Sequence, residues 1–507
     1  VPRNRDAEAL NDAATTSAYG ETITKLEFWG GKLGSAVPML VFIAWAISLS
    51  ISLSDQGAPD ESGLILGIIV GLVVGMFLCK SPWSNYSQAI FDGMARPVGV
   101  IAVVCWIWAG MFAKVLAAGG LVEGLVWLGA ETGFHGGLFV VVTFLLSAVF
   151  ATAVGTGYGT VIAFCQLMYP AGILLGADPL ILFAAILSGS AFGDNLAPVS
   201  DTTIVSAVTQ ETDVPGVVRS RFRYAILAAI PAALLFYFTG GGGEVTDIQT
   251  AMPVGDNGPA GLLLLVPFCL VIFLALSGRH IVVSITWGIV GATAFILLSN
   301  VGFVADALGG PLAEPSSVLA LDVEKRALTG ALVTGIDGFL KMCILILFIV
   351  AAGHIMALGG ALEGIKNGMM RIVKSSVRRA ELAMFTTVAA LNMFITVNTA
   401  AEIAAAPFVR DMGKTFKLHP YRRANFLDSV SSAFGYIFPW SGGVLLGVTT
   451  LQGLSETYTF VEVPSPTEVW PYVFHGWLLA AVMIFAAISG YGRRFEGKDG
   501  KPVKKLD

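Results

Sequence analysis

Apolar residues in this chain run in long blocks separated by short polar connections, with no alternating pattern that would predict strands. A helix needs about 20 apolar residues to cross the hydrocarbon core of a bilayer. The blocks predict helical segments at 36–54, 63–79, 97–117, 138–154, 161–176, 179–200 and 224–239. A second series covers 260–276, 281–299, 331–355, 381–397, 399–409, 425–447 and 471–489. Two are imperfect as spans: 399–409 is too short, and Pro170 and Gly172 interrupt 161–176. The predicted organisation is a cytoplasmic segment 1–35, a transmembrane repeat 36–239, an external linker 240–259, a second repeat 260–489 and a cytoplasmic tail 490–507.

Composition agrees with the pattern. Of 507 residues, 55% are hydrophobic and only 13% charged, against roughly a quarter charged in a soluble domain. Mean hydropathy is +0.77, so the fold class is an all-α polytopic membrane protein. Lysine and arginine then orient it. With the segments above, 26 of the 30 fall on one face, Lys325 and Arg326 on the other, and Lys114 and Lys341 within segments. Both termini are therefore predicted on the cytoplasmic side of the inner membrane. The net charge of −5 is also sided, because the predicted external loops hold 16 acids and 2 bases. No basic tract suits nucleic acid. Cys79, Cys105, Cys165, Cys269 and Cys343 all lie in apolar runs without metal-ligand spacing, and read as small buried hydrophobes. The chain opens on Val1, which suggests processing, and no cleavable signal peptide is expected because apolar sequence begins only near Val37.

The chain repeats itself. AAGGLVEGL at 117–125 matches ALGGALEGI at 357–365, an offset of 240, and SAFG at 190–193 recurs at 432–435, an offset of 242. Each unit holds seven predicted segments, an odd number, so the second copy starts from the opposite side. That is the footprint of two inverted-topology repeats, a plan common among secondary transporters.

Candidate chemistry concentrates between Ser188 and Thr203. Gly189, Gly193 and Pro198 break the helix there, freeing carbonyls beside Asp194, Asn195, Ser200, Asp201, Thr202 and Thr203. Ionisable groups at membrane depth are costly and call for a function. Oxygen donors without imidazole or thiolate suit an alkali cation or a proton rather than a transition metal, with Asp194 and Asp201 as the carboxylates that would hold it. The bland reading is a polar loop at the cytoplasmic surface. The repeat-related stretch from Ser429 to Gly442 has the same breakers without the carboxylates; Tyr436 stands where Asp194 stands. Asp428 is either a ligand of a second site or a residue at the cytoplasmic helix end, and Ser441 follows the Pro439-Trp440 break.

Two further breaks correspond between the repeats: Thr152–Thr160, containing Thr156, and Thr396–Glu402, containing Asn398 and Thr399. Both fit tips of re-entrant hairpins, where irregular backbone lines a cavity. Glu402 is then a proton carrier or cation ligand, or else lies in a solvated tip. The Gly-x-Gly-x-Gly at 155–159 lacks the βαβ context of a nucleotide loop. Asp337 and Lys341, spaced i, i+4, predict an interfacial ion pair on one helix. His354 reads as a satisfied core histidine, and Trp106, Trp108, Trp127 and Trp440 as packing or interfacial anchors.

The run Phe192-Gly-Asp-Asn-Leu-Ala-Pro-Val-Ser-Asp-Thr-Thr203 resembles the G-D-x-L-S-P-x-S-D-T-T signature of NhaC-type sodium/proton antiporters. The resemblance implies an elevator-type homodimer in which broken helices and paired hairpins move beside a dimerising scaffold. By position it makes Asp194 and Asp201 the cation and proton carboxylates. Two positions depart from the pattern: Ser441 stands where an Asn is usual, and Ala197 replaces a Ser. Both flank the site, and relatives of the family include malate/lactate exchangers and amino-acid carriers. The expectation is exchange of Na+ or Li+ for H+ by alternating access, with no cofactor besides the transported or coupling ions. The alternative is a Na+- or H+-coupled carrier of a small carboxylate or amino acid, with Arg96 serving the anion. No HExxH, GxSxG or Cys/His cluster supports an enzyme.

Overall fold

The computed structural model describes residues 25–504 apart from 53–60, 244–257, 278, 325, 362, 365–367, 369–375, 456–457 and 498–499. The first 24 residues, most of the expected external linker, Lys325 and the last three residues of the tail lie outside the described residues.

The chain is mostly helical. In order, α1 is Val37–Ser52, α2 Glu61–Leu78, α3 Trp83–Met94, α4 Pro97–Ala118, α5 Leu121–Thr132, α6 Gly136–Val154, α7 Gly157–Leu174, α8 Pro179–Leu196, α9 Asp201–Thr209 and α10 Val214–Thr239. There follow α11 Leu265–Leu276, α12 Ile281–Ser299, α13 Ala331–Asp337, α14 Leu340–Leu358, α15 Val377–Ile395, α16 Asn398–Thr415, α17 Pro420–Phe434, α18 Gly442–Ser455 and α19 Phe474–Ser489. Two short antiparallel hairpins, β1 Ala320–Asp322 with β2 Ala327–Thr329 and β3 Phe495–Glu496 with β4 Pro502–Val503, add the strand content that the apolar pattern did not predict.

Fourteen segments were expected; among the described residues eight helices are long and apolar enough to cross a membrane, or nine with a pair bent by 52° at Val473. Ser62–Leu78 and Pro259–Ala275 are apolar but shorter, and the rest of the shortfall lies in α15–α18, at the centre of the molecule. There the helices face protein and need no apolar surface. Residues 179–209 are 89% buried and α7 is 94% buried, against 28% for α12 and 33% for α10. The outer helices meet lipid instead, which is why Cys269 on α11 is exposed although the other four cysteines are buried as expected.

Several boundaries need correction. The stretch 161–176 lies, as far as Leu174, in one helix, α7, which carries Pro170 inside it at the loss of one bond of its ladder. The run 399–409 belongs to α16, which continues through Arg410, Asp411 and Lys414 to Thr415; its apolar pattern stops before the helix does. Segment 425–447 is two helices, α17 and α18, parted at residues 435–441. Asp337 and Lys341 lie on α13 and α14, parted at Gly338–Phe339, so they are not an i, i+4 pair on one helix.

The matched stretches adopt matched backbones. Gly119–Gly120 and Gly359–Gly360 end their helices alike, with φ of −82° at the first glycine of each and +87° and +80° at the second. At Gly155 and Thr396 the chain turns through the left-handed region, φ +76° and +58°, between α6 and α7 and between α15 and α16. The two arms of each turn pack against one another as a helical hairpin. Each hairpin is followed by a broken helix: α8–α9 after the first, α17–α18 after the second.

Candidate ion-binding site

The break Ala197–Ser200 holds two carboxylates apart by one turn of irregular chain. Asp194 sits at the C-terminal end of α8, and Asp201 is the first residue of α9, where an acid complements the helix dipole. Ser200 Oγ donates to Asp194 Oδ1 at 2.8 Å and lies 3.5 Å from Asp201 Oδ1. It also pairs with Thr202 Oγ1 at 2.9 Å, and the Thr202 amide donates to Asp201 Oδ1 at 3.0 Å.

The tip of the second hairpin reaches both acids. Asn398 Nδ2 donates to Asp194 Oδ2 at 2.8 Å, and Thr399 Oγ1 donates to Asp201 Oδ2 at 2.6 Å. Tyr436, from the break between α17 and α18, donates its hydroxyl to Asp194 Oδ2 at 3.1 Å. The equivalent of Asp194 in the repeat is thus one of its hydrogen-bond partners. Gly157 lies so close to the Tyr436 hydroxyl that a Cβ there would collide with it.

A second cluster lies behind the pair. Arg221, fully buried on α10, forms a salt bridge with Asp428. It also donates to the Asn195 carbonyl at 2.5 Å, Thr203 Oγ1 at 3.2 Å and Ser206 Oγ at 3.1 Å. Ser432 Oγ donates to Asp428 Oδ1 at 2.8 Å, and Ser429 Oγ donates to Asn195 Oδ1 at 3.3 Å. The sequence placed Arg221 in a cytoplasmic basic loop; the fold puts it at the centre. Asp428 is no helix-end residue, and its charge is already engaged.

A cavity of about 430 Å³ opens onto the carboxylate pair and both hairpin tips. Asp194, Asp201, Thr156, Asn398 and Thr399 border it, with Trp106 and Tyr158 on its apolar side and Arg279 at its rim. Thr156 also caps α7, accepting from the Gly159 amide at 3.4 Å. Asn195 and Thr203 turn instead toward Arg221 and Ser429, and Thr202 supports Ser200. Glu402, on α16, is fully buried with neither carboxylate oxygen hydrogen-bonded among the described residues, which excludes a solvated tip. Ser441 is buried, does not border the cavity, and its hydroxyl has no partner among the described residues. Arg96, expected to serve an anion, caps the start of α4 close to Asp92 and His354 and away from the cavity. His354 is buried as expected, yet neither ring nitrogen is hydrogen-bonded among the described residues, so it is not a satisfied histidine. Trp440 packs with its indole donating to the Met393 carbonyl at 2.9 Å.

A profile of the Na+/H+ antiporter family matches residues 23–241 and 247–477, which takes in every element of this site. The chain belongs to the Na+/H+ antiporter family. It is a multi-span membrane transport protein and not an enzyme. The chain is similar to the malate-2H+/Na+-lactate antiporter of Bacillus subtilis, 27% identical over 350 residues, covering 67% of this chain and 70% of that protein. It is 25% identical over 413 residues to the arginine/ornithine antiporter ArcD of Halobacterium salinarum, covering 78% and 83%. Over 225 residues it is 27% identical to the Na+/H+ antiporter NhaC of Alkalihalophilus pseudofirmus, covering 42% and 47%.

Proposed function

We propose that this antiporter exchanges Na+, or Li+, for H+ by alternating access, with Asp194 and Asp201 as the shared site. The observation that carries this reading is the charge balance. Asp194, Asp201, Asp428 and Glu402 lie within electrostatic reach of one another, and Arg221, the cation among them, is bound to Asp428. Removing an ionised carboxylate from water without a counter-charge costs several kcal/mol. The pair therefore needs a cation or a proton at every stage, and the two compete. Ser200, Asn398 and Thr399 supply further hard oxygens for Na+, with Thr202, Thr203, Asn195 and Thr156 holding the break and the tip in place. Glu402, buried without a hydrogen-bond partner among the described residues, is a second proton-holding group, while Asp428 and Ser441 support the second broken helix. Two hairpin-plus-broken-helix units, each with a left-handed tip about 240 residues apart, support an inverted-repeat plan; the elevator-type homodimer rests on the family resemblance. The basic face supports an inner-membrane orientation with both termini cytoplasmic.

The test uses proteoliposomes with a trapped pH dye. External Na+ or Li+ added to acid-loaded vesicles raises the luminal pH, and Asp194→Asn or Asp201→Asn abolishes the response. With one proton displaced per cation, each unit of added acidity raises the Na+ needed for half-maximal exchange by about tenfold once the site is mostly protonated, by mass action.

The size of the cavity favours a second reading. At about 430 Å³ it exceeds the ~30 Å³ share of one water many-fold, and it joins apolar walls to Arg279. A small carboxylate or amino acid coupled to Na+ or H+ fits there, consistent with what the two longer-matching relatives are named for. No Na+-driven pH change, alongside Na+-dependent uptake of labelled lactate, malate or arginine into the same vesicles, decides for this reading.

A further inference from the structure

A second polar pocket lies apart from the ion site, where the first turns of α10 and α17 meet the chain after α19. It has a volume of about 250 Å³. Arg219, Arg223, Arg422 and Arg494 border it, with Ser220 and Asn425 between them. Arg219 and Arg223 are spaced i, i+4 and project from the same face of α10, opposite to Arg221.

The pocket is built, not incidental. Ser220 and Asn425 are hydrogen-bonded across the two helices at 2.9 Å. Arg223 Nη2 donates to the Gly492 carbonyl at 3.4 Å and Arg422 Nη1 donates to the Tyr491 carbonyl at 2.9 Å, which fixes the chain after α19 against both helices. That chain then pairs as β3 and β4 and bridges Phe495 to Leu418.

Its four arginines outnumber the acids beside them, so its positive charge is only partly balanced. Glu381 takes two bonds from Arg422, at 2.9 and 3.1 Å, and two from Arg493, at 3.1 and 2.7 Å. Asp213 accepts from the Tyr421 hydroxyl at 2.6 Å and the Gly216 amide at 2.7 Å, and with the nearby charge of Arg219 these contacts hold its carboxylate below the usual range, so it offsets part of the pocket's charge. Arg219, Arg223 and Arg494 form no salt bridge among the described residues. Guanidinium groups gathered in one concavity repel one another unless an anion joins them, and their forked donors match phosphate oxygens. A membrane protein's topology needs basic residues on one face but does not need them to converge.

We propose that this pocket binds a phosphate group, held chiefly by Arg219, Arg223 and Arg494 with Ser220 and Asn425 as neutral partners. The phosphate is that of an anionic lipid headgroup or of a free anion, since basic pockets between helix ends suit the first and any phosphate satisfies the same donors. The inference is independent of which ion the Asp194–Asp201 site carries.

The experiment measures the thermal midpoint of the full-length protein in neutral detergent at constant ionic strength. Phosphatidylglycerol, phosphatidylcholine and inorganic phosphate are added in turn. Wild type is expected to gain several degrees with phosphatidylglycerol, inorganic phosphate or both, and nothing with phosphatidylcholine. The gain is expected to vanish in Arg219→Gln/Arg494→Gln and to persist in Arg378→Gln/Arg379→Gln, which removes the same charge outside the pocket. Phosphatidylglycerol acting alone identifies the lipid as the source; inorganic phosphate acting equally identifies the free anion. No gain with either anion, an equal gain in R219Q/R494Q, or an equal loss in R378Q/R379Q overturns the proposal. Arg219→Gln alone serves if the double variant does not purify.

Discussion

Arg221 holds a full charge at the centre of an apolar molecule, and its neighbours explain how. Asp428 neutralises it, while Asn195, Thr203 and Ser206 accept its remaining donors. Breaking a buried pair by removing one partner costs about 3–5 kcal/mol, because the other is left uncompensated. Arg221→Gln and Asp428→Asn are therefore each expected to lower the thermal midpoint sharply, and the double variant to recover more than half of the loss. Additive losses in that double-mutant cycle would show that the pair does not hold the site together. The residues also show what can be read in advance. Asp194, Asp201, Asn398 and Thr399 were visible because polar groups beside helix breakers are rare in apolar sequence. Arg221 was hidden among Arg219 and Arg223, since a count of basic residues cannot tell which face of a helix each occupies. Two positions along a helix is about 200° of rotation, so the middle arginine of that triplet necessarily faces away from the other two, and that spacing was a signal. Tyr436 matches Asp194 at an offset of 242 in the sequence, but such a match cannot show that the two residues touch.

At the scale of elements, α6 and α8 approach closely because α8 carries glycine where they meet. Gly189 and Gly193, four residues apart, face Phe144, Ser147, Ala148 and Ala151 of α6. Small residues at this spacing let helix backbones approach in membranes. A Cβ on Gly193 would collide with Ala151 Cβ and the Thr152 amide, and such overpacking costs about 1–3 kcal/mol. Gly193→Ala is expected to lower the thermal midpoint and to weaken exchange, because Asp194 is its neighbour in the chain. Gly453→Ala on α18 meets nothing within 4 Å and should match or slightly exceed wild type; a melt in which both variants behave alike counts against the close approach. The same contrast explains which elements the hydrophobic pattern described well. The apolar helices α4, α6 and α12 were found nearly to their ends, whereas the expected segment 331–355 ran across the break between α13 and α14. The second hairpin and α17 were trimmed because they bury Glu381, Arg422, Arg423, Asn425 and Asp428 against other protein. A helix solvated by protein has no reason to be apolar, so hydropathy loses it.

At the scale of the whole molecule, charge sidedness and the hairpins must agree, and they do so without adjustment. The tips at Gly155 and at Val397 border the same cavity, and the two arms of each hairpin pack against one another. A re-entrant hairpin returns to the side it left, just as two full crossings do. The assignment of basic loops to one face is therefore the same in either case, and with Arg221 buried the other 25 lysines and arginines predicted on that face remain a test of orientation. Single cysteines can read it in a background with the exposed Cys269 replaced. Ser316→Cys, in the exposed stretch before β1, is expected to react with an impermeant maleimide on intact cells. Thr415→Cys, at the exposed end of α16, should react only after permeabilisation. The reverse pattern would turn the chain over. The cavity beside Arg279 would then face outward, and the cation would enter the carboxylate pair from the opposite side.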